Sequence, residues 1–243
     1  YISPTEEFIL TTNTAILQWS YGSGSNVTHY QVLYGTDKDH LVVKHDPDWI
    51  ERPSEGTGLA GTGTLTTEVL TNNTKYYWQV KVKQGVDGDI LDGSVWSFIS
   101  MLDVPQNVKA DNDRVYTDTA HLTWDAIADA SGYKVYVNGE ERLVVNTNSV
   151  DVTSLTYNDG AYNNIQVVAL YDLDGKTYES AKSDTVQVMV IGYGKIEIVV
   201  QDYKNNRVEG VTITLNGKDA FDNDNQFTFT TNANGTYTSS KPE

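Results

Sequence analysis

The sequence predicts an all-β protein built of tandem antiparallel β-sandwiches. Three observations predict it. Apolar and polar residues alternate along many short stretches. Asn-Gly and Asp-Gly dipeptides punctuate those stretches. A pattern of Trp, Tyr and Leu in the first part of the chain returns in the second. Helical spacing is nearly absent, and strict alternation is the signature of a strand with one buried face.

The alternations come in order. Ala15-Ile16-Leu17-Gln18-Trp19, Tyr30-Gln31-Val32-Leu33-Tyr34 and Tyr77-Trp78-Gln79-Val80-Lys81-Val82 lie in the first part. Tyr133-Lys134-Val135-Tyr136-Val137 lies in the second, and Lys195-Ile196-Glu197-Ile198-Val199-Val200 in the last. Each puts one set of side chains in a core and the other in water. The turn dipeptides are Asp87-Gly88, Asp92-Gly93, Asn138-Gly139, Asp159-Gly160, Asp174-Gly175, Asn216-Gly217 and Asn234-Gly235. They tolerate the positive φ of tight hairpins. Short strands at this spacing predict sandwiches.

The repeat sets the boundaries. Leu17-Gln18-Trp19, Tyr30-Gln31-Val32, Leu70 and Tyr76 are followed by Leu122-Thr123-Trp124, Tyr133-Lys134-Val135, Leu155 and Tyr162. This pattern resembles the fibronectin type III module. The resemblance rests on a strand-B Trp, a strand-C Tyr-x-Val and the corner Leu70-Thr71-Asn72-Asn73-Thr74-Lys75-Tyr76. Ser94-Val95-Trp96-Ser97-Phe98 is similar to a closing strand, and Asp103-Val104-Pro105-Gln106-Asn107-Val108 to the first strand of a following module. The resemblance implies two such sandwiches, over 1–101 and 102–190. In both, the expected core plugs are Trp19, Tyr76, Trp124 and Tyr162, aromatic bodies large enough to span two facing sheets. Trp78 and Trp96 are expected at an edge or core margin.

Residues 191–243 read differently. The strands around Ile196–Val200 and Val211-Thr212-Ile213-Thr214-Leu215, then Thr231-Asn232-Ala233-Asn234-Gly235-Thr236-Tyr237, resemble carboxypeptidase-regulatory-like or Cna-B-type surface domains. The resemblance implies a third, partial Ig-like or prealbumin-like sandwich. Its later strands are expected from a longer parent chain or from another chain, because an open sheet edge is a liability. Lys195 stands where such domains sometimes place an isopeptide lysine; no bond is assigned to it. The chain opens on Tyr1, without a signal peptide, which reads as a trimmed or excised piece.

Composition narrows the function classes. Among 243 residues, 17 basic side chains face 33 acidic ones, for a net charge of −16. That excess disfavours nucleic acid and anionic membranes, which select basic patches. No apolar run reaches the ~18 residues of a membrane span. There is no cysteine, so no disulfide, thiolate metal site or cysteine nucleophile is available.

Candidate sites are few. Gly56-Thr57-Gly58-Leu59-Ala60-Gly61 spells a phosphate-loop pattern, but strand-like residues follow it where a helix would be needed. It is read as a Gly-rich loop. The stretch 36–63 is long, and carries His40, His45, Asp46, Asp48, Trp49 and Glu51 in no established metal spacing. Trp49 is the candidate glycan or partner contact; the competing reading folds it back as a cap. Asp111-Asn112-Asp113 and Asp172 with Asp174 are further acidic turns. Asp87, Asp89, Asp92, Asp222 and Asp224 are candidate Ca²⁺ ligands, set against the ordinary use of Asp in turns. No other cofactor is expected. Catalytic motifs for hydrolases, zinc proteases and nucleotide enzymes are missing. Asn26, Asn72 and Asn234 open glycosylation sequons.

The expected function is a non-catalytic, extracellular, structural or adhesive segment of a prokaryotic cell-surface protein: a spacer rod, assembled in a surface layer or filament. Its partners would be other modules, copies of itself, or glycan. Two alternatives stand beside it. One is an accessory glycan-contacting region of a secreted polysaccharide-degrading enzyme. The other is a viral tail or capsid fibre module.

Overall fold

In the computed structural model the described residues are 2–21, 26–45, 48–52, 61–85, 87–157, 160–192, 196–218 and 223–239. Among them every regular element is a strand.

The first unit contains β1 (Phe8–Ile9), β2 (Ile16–Tyr21), β3 (His29–Gly35), β4 (Val42–Val43), β5 (Ile50–Glu51), β6 (Gly61–Thr66), β7 (Lys75–Lys83), β8 (Ile90–Asp92) and β9 (Trp96–Ile99). One sheet runs β1-β9-β7-β3-β4, with β5 on β3 and β8 on β7; β2 and β6 form the other. The core lies between them, with Leu17 and Trp19 from one sheet meeting Val32, Tyr34, Trp78 and Phe98 from the other.

The second unit contains β10 (Lys109–Ala110), β11 (Arg114–Val115), β12 (Ala120–Thr123), β13 (Gly132–Val137), β14 (Glu140–Val145), β15 (Ser149–Val152), β16 (Asn163–Leu173), β17 (Lys176–Glu179) and β18 (Val186–Val190). Its sheets are β10-β12-β15 and β11-β18-β16-β13-β14, with β17 on β16. In both units the first segment changes sheets. It pairs antiparallel at the start (Ser3 with Gln18, Lys109 with Thr123), then parallel with the last strand, β1 with β9 and β11 with β18.

The repeat in sequence is a repeat in packing. Trp19 meets the edge of Tyr30 at 5.1 Å and 63°, and Trp124 meets Tyr133 at 5.2 Å and 68°. Edge-to-face geometry suits the opposed charge of ring face and ring edge. Gly63 sits opposite Trp19 in the β2–β6 ladder, and a Cβ there would lie 2.3 Å from the indole. The glycine is the space the indole occupies.

Three expectations need correction. Tyr162 is 39% exposed and is no core plug. Its neighbour Asn163 does the corner's work: the side chain accepts from Thr156 N at 3.0 Å and donates to Thr156 O at 3.0 Å. In the first unit that place belongs to Tyr76, whose hydroxyl accepts from Thr71 N at 3.1 Å. Trp78 is fully buried in the core's middle, between the Tyr34 and Trp96 register positions, while Trp96 takes the margin. The alternation placed Trp78 on the inner face, but depth depends on the facing sheet. Finally, 103–108 is not a strand; pairing begins at Lys109.

The third unit contains β19 (Glu197–Val199), β20 (Thr212–Lys218), β21 (Asp224–Thr230) and β22 (Thr236–Thr238), as two two-stranded sheets, β19-β22 and β20-β21. Its Asn-rich motif has a clear use. The Asn232 carboxamide oxygen accepts from Asn234 N, Thr236 N and Thr236 Oγ1 at 2.9–3.2 Å. Gly235 turns there with φ 62°, where a Cβ would meet Val208 N at 2.7 Å. The turn delivers Tyr237 onto Phe229, rings 3.9 Å apart and 14° from parallel.

Candidate functional site

The residues singled out in the sequence do not converge. Asp87 and Asp89 stand exposed, while Asp92 is engaged by Lys81 at 3.2 Å across β7 and β8. Asp224 pairs with Lys218 at 3.3 Å across β20 and β21, and Asp222 lies outside the described residues. Among the described residues no group of three acidic or histidine side chains is arranged to hold a metal ion. Lysine partners and turn geometry account for the carboxylates that have contacts here.

The long loop of the first unit is likewise dispersed. The Asp39 backbone N–H, and then His40 Nδ1 at 2.8 Å, hold the Asp37 carboxyl below its usual range. His45 Nε2 accepts from Val32 N at 3.0 Å, so it caps strand backbone. Asp48 and Glu51 are exposed; Asp46, Lys195 and residues 56–60 of the Gly-rich loop fall outside the described residues. Trp49 is half-buried, and Lys83 Nζ lies over its ring at 4.5 Å. A sugar stacking on that face would have to displace the ammonium. A cleft of about 220 Å³ opens nearby, lined by Trp19, Tyr30, Arg52, Val82 and Leu91. That is smaller than the ~300 Å³ at which small-molecule sites begin.

One polar constellation among the described residues was not legible in sequence. It lies where the first two units meet. Ile99, which closes the first unit's last strand, and Leu102 just after it belong to the apolar core of the second, and Ile9 packs against that core. Asp103 is the polar hub. Its carboxylate accepts from Asn72 at 2.8 Å and Asn73 at 2.7 Å, and its N–H donates back to Asn73 at 2.8 Å. Its carbonyl accepts from Tyr171 Oη at 2.7 Å. Burial pushes the Tyr171 hydroxyl well above its ordinary range, so it remains a donor. The Asn72 amide that a glycan would occupy is thus committed inside the joint.

A second row of contacts lies beside the hub. The β16–β17 hairpin turns at Asp174-Gly175, with φ 51° and 75°. Asp174 accepts from the Tyr77 hydroxyl and lies 3.6 Å from Lys75, both on β7. Further along, Lys176 donates to Glu7, and Tyr178 Oη donates to the same carboxylate at 3.1 Å. Lys75 stands 3.9 Å from Glu7 as well. Hydrogen bonds from Lys176 and then Tyr178 hold the Glu7 carboxyl below its usual range; that from Tyr77 does the same for Asp174. Burial and then Asp174 push Tyr77 up to about 12.

No family model matches the chain, and no curated protein is similar to it. Solved structures are. Fibronectin(III)-like modules of Clostridium thermocellum CbhA align at 15% identity over 78% of this chain and 92% of theirs, with a TM-score of 0.36. A two-domain fibronectin type III segment of chicken tenascin aligns at 14% identity over 76% and 95%, with a TM-score of 0.42. The FN1–FN3 domains of chicken CNTN1 align at 12% identity over 93% and 83%, with a TM-score of 0.32. The chain's own strands and sheets make it an all-β protein of tandem β-sandwich architecture.

Proposed function

We propose that this chain is a non-catalytic spacer segment of an extracellular, surface-attached multimodule protein. The observation that carries the reading is the shared core at the joint. Ile99, the end of the first unit's last strand, is buried in the core of the second together with Leu102. Units that share core side chains are held at a set separation, which is the property a spacer supplies. The module bounds 1–101, 102–190 and 191–243 belong to this reading. The third module is assigned to the carboxypeptidase-regulatory-like or Cna-B type, supported by the Asn232 turn and the Phe229–Tyr237 stack. Its partners would be neighbouring modules or further copies.

A glycan array probed with the full chain tests the proposal, alongside a hydrolysis assay on the same polysaccharides. The spacer reading expects no retained glycan and no cleavage. Retention that disappears in Trp49→Ala would replace it with a glycan-contacting accessory module.

A further inference from the structure

The apolar joint sets the distance between the first two units. It does not by itself set their rotation about the joint, because apolar contact is non-directional. The contacts of the β16–β17 hairpin are directional. They also lie to one side of Asp103, engaging β7 and the segment before β1.

Glu7 makes the case. Its backbone has φ 58°, in the left-handed region that L residues with a Cβ avoid. Its N–H donates to Ser97 O of β9 at 3.0 Å, just ahead of the β1–β9 pairing. Glycine or asparagine would fill such a position more easily. Glutamate there carries backbone strain, and its carboxylate reaches across to Lys176 and Tyr178 of the second unit. Tyr178 is itself a buried core residue, so one end of the contact is anchored. Strain held at a clamp is a signature of a positioned contact.

We propose that the β16–β17 hairpin is a latch: Glu7 and Lys75 of the first unit grip Asp174, Lys176 and Tyr178 of the second and fix the angle between the two sandwiches. The latch is a conformational device of polar contacts, joined through Tyr178 to the rim of the apolar core. With it closed the joint transmits orientation as well as distance. With it open the joint keeps the Asp103 hydrogen bonds but loses its outer anchor, and the angle between the units spreads. The inference deepens the spacer reading without needing it, since joint mechanics and glycan retention are measured separately and either can fail alone.

The cysteine-free chain allows a direct test. Thr66→Cys and Arg142→Cys lie on exposed strand positions of the two units and would be the only thiols. Spin labels there report the inter-unit distance by pulsed electron resonance on the full chain. The expected result is one narrow distance in the parent. Glu7→Gln combined with Asp174→Asn, and separately Glu7→Gly, should lose that single peak and give a wide or shifted distribution, with the near-ultraviolet spectrum intact. Asp174→Asn keeps a turn residue suited to positive φ. Glu7→Gly relieves the strain while removing the carboxylate, so a purely local role would leave the distance unchanged. A broad parent distribution overturns the latch. So does a narrow peak that survives in the variants. Should a Glu7 variant fail to fold, Lys176→Ala with Asp174→Asn opens the exposed hairpin side and reads the same two outcomes.

Discussion

At the scale of single residues, the corner between sheets shows what a sequence conceals. The first copy's Tyr76 was identifiable because its hydroxyl has one familiar job, to accept from Thr71 N. In the second copy the same search lands on Tyr162, one residue early. Asn163 takes the place because a carboxamide both donates and accepts, and so satisfies both polar groups of Thr156. Asn163 is 2% exposed and its amide also donates to Val188 O at 3.3 Å, so its loss removes a buried hydrogen bond as well. Thermal unfolding should rank three variants accordingly. Asn163→Ala should cost most, about 1–3 kcal/mol for buried groups left unpaired. Tyr76→Phe should cost about 0.5–1.5 kcal/mol for one hydrogen bond. Tyr162→Ala should stay within ~0.5 kcal/mol, as surface changes do. A large effect at Tyr162 would restore it to the core and remove Asn163 from the corner.

At the scale of elements, strands and turns were readable while their long-range partners were not. Asp174-Gly175 is evidently a hairpin turn from its dipeptide, and its acidic residue reads as a turn former or cation ligand. Its actual partner, Tyr77, lies 97 residues away on another sandwich, and no local pattern encodes that pairing. The hairpin also has a pH dependence with a definite sign. Glu7 faces Lys176, Tyr178 and Lys75; Asp174 faces Tyr77, Lys75 and, further off, Lys38. Both carboxyls are held below their ordinary range, so the ionised forms favour the closed latch. Tyr77, at about 12, stays a donor throughout. The contribution is complete above the ordinary carboxylate range and is lost as pH falls through the lowered values. Inter-unit distances measured along an acid titration should stay narrow at neutral pH and widen in acid. The Glu7→Gln/Asp174→Asn chain should be insensitive over the same range. A parent distribution unchanged down to the lowest pH at which the near-ultraviolet spectrum survives would show that these carboxylates do not carry the latch.

At the scale of the whole molecule, burial is unevenly shared, and stability must follow it. The first two units enclose continuous cores with Leu17, Trp78 and Phe98 in one and Leu122, Ile165 and Val167 in the other, all fully buried. Among the described residues after 191, Phe229 is the most buried apolar side chain at 9% exposed, while Ile196, Val199 and Phe227 are exposed. This contrast was partly legible. The last segment has alternation and turns as clear as the others, so its strands could be placed. Alternation, however, says which face is apolar, not whether anything covers it. A fully buried aliphatic side chain contributes about 1.5–3 kcal/mol, and every ~1.4 kcal/mol is tenfold in an equilibrium. With Phe229 as their one buried apolar side chain and no fully buried aliphatic one, β20 and β21 should open at least about tenfold more often than β16, which is flanked by β13 and β18. Native-state hydrogen exchange on the full chain measures this residue by residue. The amides of the β20–β21 ladder should exchange first and those of β7 and β16 last, the latter two close together because Ile99 of the first unit is buried in the second unit's core. Equal protection in all three units would mean that the chain opens only as a whole, and that the third unit draws stability from contacts outside its two small sheets.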